Sequence, residues 1–137
     1  MSDIRPELSK RSKYWIPRHR YYELKHFVMQ FPEWIKESDA IDSMVSACKD
    51  PAGRINNISD PVGRAVEKRE GLNHNISMCR LVARETDWLI GEFYILPAIY
   101  KGLSYDNLRI QHDIPCSKDT YYELYRKFFW LLDAARK

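Results

Sequence analysis

LSYDNLRIQHDIPCSKDTYYELYRKFFWLL, residues 103–132, is the stretch that decides the fold. Ser104 and Ser117 each stand where a helix is expected to begin, because a serine oxygen can accept a hydrogen bond from a free N–H of the first turn. Between the two helices, residues 112–115 form the break. The second helix carries an apolar stripe at helical spacing: Tyr121, Leu124, Tyr125, Phe128, Leu131, Leu132 and Ala135. This pattern predicts a helix-turn-helix unit over residues 103–137.

Helical signals continue upstream of this unit. Tyr100-Lys101-Gly102 is typical of a helix C-terminus, with a cation in the last turn and glycine after it. A helix start is indicated at Ser59-Asp60-Pro61, since Ser or Asp can cap a helix and proline suits its first turn. We expect a long helix with a weak point at 71–75 that resumes over 76–94. The core face expected for its second half is Leu81, Trp88, Leu89 and Phe93.

The N-terminal part is rich in aromatic residues. Pro17 is placed to open a helix over 18–30, Pro32 interrupts it, and residues 33–39 are predicted as one further short helix. A packed aromatic face is favoured here over a base-stacking platform, because exposed stacking rows usually lie on sheets or loops. Residues 41–60 are rich in Pro, Gly, Asn and Asp, so we predict a loop or hinge with at most a short helix near 41–48.

These patterns define the fold class and the organisation of the chain. At 137 residues, with 45% hydrophobic and 30% charged residues, the chain has the size and composition of one globular domain. No segment alternates apolar and polar residues for long, and no Asn-Gly or Asp-Gly hairpin turn occurs. We therefore predict an all-α protein: a helical extension over 1–40, a hinge over 41–60 and a helical domain over 61–137.

Charge and apolar patterning bear on partners and location. The net charge is +3, and the two ends of the chain are basic while the middle is acidic. This balance permits nucleic-acid binding without establishing it. No signal peptide is recognised and no apolar stretch is long enough to span a bilayer, so we expect a cytoplasmic protein with no membrane partner. The three widely spaced cysteines (Cys48, Cys79 and Cys116) are expected to be free thiols.

An enzymatic function is not indicated. The chain has no Gly-rich phosphate loop, no Gly-x-Ser-x-Gly elbow and no His-Glu-x-x-His motif. His19 and His26 are seven residues apart, but without a spaced acid or cysteine they are a weak metal signal. We therefore expect a non-enzymatic protein with no metal and no cofactor.

The second predicted helix of the C-terminal unit suits DNA. In helix-turn-helix units, the N-terminal residues of the second helix enter the major groove. Lys118, Tyr122 and Arg126 are spaced by four and are expected opposite the apolar stripe, where they could reach bases or phosphates. The N–H groups near Ser117 could hold a phosphate. The alternative is that these residues are solvated charges on a surface helix.

Three stretches carry a resemblance to a known family. SDPVGRAVEKRE (59–70), ARETDWLIGEFYI (83–95) and the C-terminal stretch quoted first resemble the ArpU/RinA-like phage transcriptional regulators, whose C-terminus is similar to region 4 of sigma factors. The resemblance implies sequence-specific binding to double-stranded DNA, late-gene control and a cytoplasmic location in the host bacterial cell. It places five residues at the opening of the recognition helix and Arg126 one turn later; the five are Ser117, Lys118, Thr120, Tyr121 and Tyr122. The candidate DNA-binding residues are Ser104, Arg109, Ser117, Lys118, Thr120, Tyr121, Tyr122, Arg126 and Lys127.

A second class of function stays open. A small phage protein can inhibit or redirect a host protein, such as RNA polymerase or a defence nuclease, by direct contact. The aromatic N-terminal segment would suit that role, because Trp and Tyr anchor interfaces. Host RNA polymerase and a second copy of the chain are thus further candidate partners. The dimer is suggested by Phe128, Phe129 and Trp130, which cannot all face one core.

Overall fold

The computed structural model describes residues 13–47 and 60–137, and in this part of the chain all regular structure is helical. The prediction of an all-α protein is confirmed. The helices are α1 (Arg18–Met29), α2 (Phe31–Ala47), α3 (Asp60–Thr86), α4 (Leu96–Lys101), α5 (Tyr105–His112) and α6 (Lys118–Ala135). A π-helical turn, Gly91–Ile95, leads directly into α4. No helix among the described residues is both long enough and apolar enough to cross a membrane.

The helices form two compact units. One consists of α1 together with Met78–Lys137, and the other is Phe31–Ser77. This grouping joins α1 to the C-terminal helices, whereas the sequence was divided into 1–40, 41–60 and 61–137. Most of the predicted hinge, residues 48–59, lies outside the described residues, as do residues 1–12.

The predicted helix after Pro17 is confirmed, and the interruption near Pro32 is confirmed as the junction between α1 and α2. The N–H of Tyr21 donates to the Pro17 carbonyl at 2.9 Å and closes the first turn of α1. The short helix allowed near residues 41–48 is present up to Ala47, but it is not separate from the helix predicted over 33–39, because α2 is one 17-residue helix. Ile41 is buried on it, and such tertiary packing outweighs the weak local helix signal.

The predicted helix start is confirmed at Asp60, but the predicted weak point at 71–75 is wrong, because α3 is continuous from Asp60 to Thr86. Contacts with α2 hold this region: Ser38 Oγ donates to Asn73 Oδ1 at 2.9 Å and Arg69 Nη1 donates to Asp42 Oδ1 at 2.8 Å. The buried Leu72 flanks the same place. The cost of glycine and asparagine in a helix interior is below about 1 kcal/mol per residue, which such contacts exceed together.

The predicted helix over 76–94 ends instead at Thr86. Asp87 follows it and caps the start of the next helical segment. Asp87 Oδ1 accepts hydrogen bonds from the N–H groups of Leu89 at 3.0 Å and Ile90 at 2.9 Å. The predicted core face is wrong: Leu81 is already exposed within α3, and after Thr86 the new helix start and the π-helical turn change the helical phase. Of its members, Leu81, Trp88 and Phe93 are 54%, 75% and 62% exposed. The buried residues of this region include Ile76, Cys79, Val82, Ala83, Thr86 and Ile90.

Gly91 brings the π-helical turn against the end of α3. A Cβ atom built on Gly91 would lie 1.8 Å from the carbonyl oxygen of Ala83, closer than any side chain allows. Gly91 and Ala83 are both buried. The close approach therefore depends on the absence of a side chain at position 91.

An aromatic core joins α1 to α6. The Tyr21 ring meets the Phe129 ring edge-on with centroids 5.0 Å apart, and the Tyr21 and Tyr125 hydroxyls form a hydrogen bond of 2.8 Å. At the far end of α6, Arg20 Nε donates to Asp133 Oδ1 at 2.7 Å. α1 is thus packed along α6.

Burial is expected to make the thiol of Cys79 slow to react. The side chain is fully buried, and burial raises the pKa of Cys79 from 9.0 to about 12, against a smaller lowering effect of Arg136. Because the thiolate is the reactive species, we expect alkylation of Cys79 in the native protein at pH 8 to be slower than in the unfolded chain by about three orders of magnitude. Peptide mapping after iodoacetamide treatment, with and without denaturant, measures this ratio. Equal labelling in both states would contradict the burial of Cys79.

Candidate nucleic-acid interface

The first turn of α6 is exposed and capped. Ser117 Oγ accepts a hydrogen bond from the Thr120 N–H at 3.3 Å and donates to Thr120 Oγ1 at 3.0 Å. Ser117, Lys118 and Thr120 are all exposed. The serine cap predicted at Ser117 is confirmed. The first turn of α6 thus combines partial positive charge from the helix dipole with one lysine ammonium and the carboxylate of Asp119, and nothing among the described residues covers it.

The connection between α5 and α6 is held by its own contacts. Ser104 Oγ caps α5 by accepting from the Asn107 N–H at 3.3 Å, as predicted. Upstream, Gly102 has φ 71° and ends α4, also as predicted. Across the turn, the Tyr105 hydroxyl donates to the Cys116 carbonyl at 2.6 Å, next to the N-cap of α6. The two helices therefore meet through a hydrogen-bonded turn.

The basic residues predicted on α5 and α6 have no carboxylate partners. Within residues 13–47 and 60–137, none of Arg109, Lys118, Arg126 and Lys127 forms an ion pair or a hydrogen bond through its side chain. Elsewhere, Arg69 pairs with Asp42 and Arg84 binds both oxygens of Glu92 at 2.8 and 3.1 Å. These four cations on two adjacent helices therefore form no ion pair in the described part of the chain, which is also true of Lys36, Arg64 and Lys101. Arg109 and Lys118 are exposed, and Lys127 is half-buried.

Arg126 is the one of these four cations that has a buried nitrogen without a hydrogen-bond partner among the described residues. Its Nε is buried and has no hydrogen-bond acceptor among the described residues. Buried polar groups are nearly always bonded, and an orphaned one often marks an absent ion or water. Nε is the only nitrogen of this guanidinium that is both buried and unbonded, so the other two remain accessible to an anion.

Tyr121 and Tyr122 are placed differently from the prediction. Tyr121 is 1% exposed, and burial raises the pKa of its hydroxyl. Tyr122 is half-buried, and its ring lies 5.0 Å from that of Tyr121 and 6.1 Å from that of Tyr125. Tyr121 therefore belongs to the core, and a direct DNA contact by its side chain does not fit this burial.

The expectation that Lys118, Tyr122 and Arg126 lie opposite the apolar stripe is wrong for the last two, which flank the core. The cause is a rotation of the buried stripe of α6. The fully buried residues are Tyr121, Phe128, Phe129 and Leu132, whereas Ala135 is exposed. Phe129 was absent from the predicted stripe, and its contact with Tyr21 of α1 explains the shift.

Two exposed aromatic residues, Trp88 and Phe93, were missed as candidate functional residues because both were assigned to the core. A signal was present in the sequence: Asp87 is a good capping residue, and a cap at that position ends the preceding helical phase. Glu92, which lies between them in the sequence, accepts a hydrogen bond from Arg84 of α3.

No protein-family model, no curated protein and no solved structure matches the chain.

Proposed function

We propose that the protein is a sequence-specific regulator that binds double-stranded DNA through α5 and α6, which act as a helix-turn-helix. The observation that carries the proposal is the set of four unpaired cations on these two helices. Cations that protein carboxylates do not neutralise are available for phosphates, whose contacts supply most of the affinity of DNA-binding proteins. The resemblance to the ArpU/RinA-like regulators supports the same function and a phage origin.

The first turn of α6 is assigned to the major groove. Its residues are exposed and Ser117 caps it, as suits the opening of a recognition helix. Lys118 stands at this end and is assigned to a base edge, because the N-terminal end of such a helix enters deepest. Free N–H groups beside Ser117 are assigned to a phosphate.

Arg126 is assigned to a second phosphate, two turns further along α6. A phosphate on its accessible nitrogens would provide the acceptor that the guanidinium lacks in the free protein. Tyr122 borders this side of the helix, whereas Tyr121 supports it from within the core.

These two roles predict different effects of alanine substitution. Lys118→Ala should weaken binding to the preferred duplex by about 1–3 kcal/mol and relax preference at one base position. Arg126→Ala should weaken binding to all duplexes alike, because a phosphate contact carries no sequence information. The measurement is fluorescence anisotropy on a preferred duplex and on single-base variants of it. Identical effects of both substitutions on every duplex would contradict the assignment of Lys118 to a base.

The preferred duplex can be obtained without knowing the target. The full-length protein is used to select from a pool of random duplexes over several rounds, and the enriched sequences are read. We expect one recurring motif, bound more tightly than unselected DNA by about a thousandfold or more. Recovery of no motif, with uniform binding to all duplexes, would overturn sequence-specific recognition.

A second candidate function, direct capture of a host protein, is favoured by Trp88 and Phe93. Their exposure of 75% and 62% is unusual for large aromatic side chains, and buried aromatic residues dominate binding energy at protein interfaces. Salt separates the two candidates, because DNA binding weakens steeply with ionic strength and an apolar interface does not. Salt-insensitive binding of one host protein, lost in Trp88→Ala, would support this second candidate.

A further inference from the structure

A cavity of about 160 Å³ lies among α1, α4, α5 and α6. Lys25 of α1, Ala98 and Ile99 of α4, Asn107 of α5 and Tyr121 of α6 contribute to its wall. All of these residues belong to one compact unit. The volume is close to that of an engineered protein cavity of about 150 Å³ that binds benzene. The space therefore admits a molecule with one ring.

The wall contains polar groups without partners. Tyr121 is only 1% exposed, yet its hydroxyl forms no hydrogen bond with any described residue. The Tyr122 hydroxyl and the side-chain amide of Asn107 likewise have no hydrogen-bond partner in the described part of the chain. An unbonded hydroxyl at the wall of a cavity can donate to an occupant that accepts a hydrogen bond, so the hydroxyl of Tyr121 is available to such an occupant.

The rest of the wall determines which occupant fits. None of the described lining residues is acidic, and Lys25 supplies a positive charge. Ala98, Ile99 and Leu103 form an apolar side, and the rings of Tyr121, Tyr122 and Tyr125 offer edges and faces to another ring. A site with one cation, hydroxyl donors and an apolar aromatic wall suits a planar anion.

We propose that this cavity binds a small aromatic carboxylate, with the ring between the apolar side and the tyrosines and the carboxylate at Lys25 and the Tyr121 hydroxyl. Burial keeps Tyr121 protonated at neutral pH, so its hydroxyl can donate. An occupant would touch four helices at once and stabilise the unit that they form. The proposal does not depend on DNA binding.

The probe is sodium benzoate, added to the full-length protein and compared with equal concentrations of sodium chloride. At about ten times its dissociation constant, benzoate should raise Tm by roughly 4–7 °C. In NMR spectra, shifts should be concentrated at Ala98, Ile99, Leu103 and Asn107. Benzyl alcohol, which has the same ring and no charge, should bind at least about tenfold more weakly.

Three variants locate the binding. Lys25→Met and Tyr121→Phe should each weaken benzoate binding by about tenfold, and the Tm of unliganded Tyr121→Phe should not fall, because no hydrogen bond is lost. Tyr105→Phe is the matched control, since it removes a hydroxyl bonded to the Cys116 carbonyl outside the cavity. This variant should have a lower Tm and unchanged affinity for benzoate.

Two outcomes would overturn the proposal. One is the absence of any benzoate-specific shift or rise in Tm at concentrations on the order of 10 mM, which would leave water as the occupant. The other is equal affinity of benzoate for the wild type, Lys25→Met and Tyr121→Phe, which would place any binding elsewhere.

Discussion

Phe129→Ala is expected to lower the free energy of unfolding by about 3–5 kcal/mol, the cost typical of truncating a buried phenylalanine. Phe129 is fully buried, and its ring packs against those of Tyr21, Tyr125 and Phe128 with centroids 5.0 to 5.1 Å apart. Small proteins are stable by only about 5–15 kcal/mol, so this loss is a large fraction of the total. Urea unfolding followed by circular dichroism measures it.

Phe93→Ala is the matched control, because it makes the same chemical change at a side chain that is 62% exposed. We expect a cost within about 0.5 kcal/mol, as for most surface substitutions. A loss within about 0.5 kcal/mol for Phe129→Ala as well would mean that Phe129 is not buried and that α6 is rotated relative to the structure. The predicted stripe, which omitted Phe129, would then be correct.

Gly91→Ala is expected to destabilise the protein by about 3 kcal/mol or more, because the new methyl group would collide with backbone. The position available to a Cβ is 1.8 Å from the Ala83 carbonyl oxygen and 2.8 Å from its carbonyl carbon. Backbone atoms cannot turn aside as a flexible side chain can, so the π-helical turn and the end of α3 must separate. Thermal unfolding measures the resulting fall in Tm.

Gly71→Ala, the same substitution at a different glycine, is expected to stabilise the protein instead. Gly71 lies inside α3, and a Cβ there would meet nothing within 4 Å. Alanine is the better helix former, so this variant should gain about 0.5–1 kcal/mol. A stable Gly91→Ala protein with wild-type Tm would show that the turn does not pack against Ala83 as described.

Local signals made much of the fold predictable. Ser104, Ser117 and Gly102 act on the residues beside them, so the sequence alone predicted the ends of α4, α5 and α6. The rotation of α6 was not predictable in the same way. It depends on Tyr21, more than a hundred residues away, and a periodic pattern does not show which distant helix will cover it.

Only part of the candidate site could be predicted, because residue types can be read from the sequence and contacts between distant residues cannot. The identity of Arg109, Lys118, Arg126 and Lys127 as cations is read directly from the sequence, but their lack of carboxylate partners is a property of the folded chain. The exposure of Trp88 was missed because one long helix was assumed. Asp87 ends that helix and changes the direction of every side chain after it.

The most direct test of DNA binding through α5 and α6 is the salt dependence of affinity for a mixed-sequence duplex. Two double variants are compared with the wild type: Lys118→Gln with Arg126→Gln, and, as the control, Lys36→Gln with Arg64→Gln on exposed sites of α2 and α3. We predict binding by the wild type at about 50 mM salt that falls steeply as salt rises, a slope smaller by about one to two in the first variant, and an unchanged slope in the control. Absence of wild-type binding at low salt, or equal slopes for all three proteins, would contradict the account.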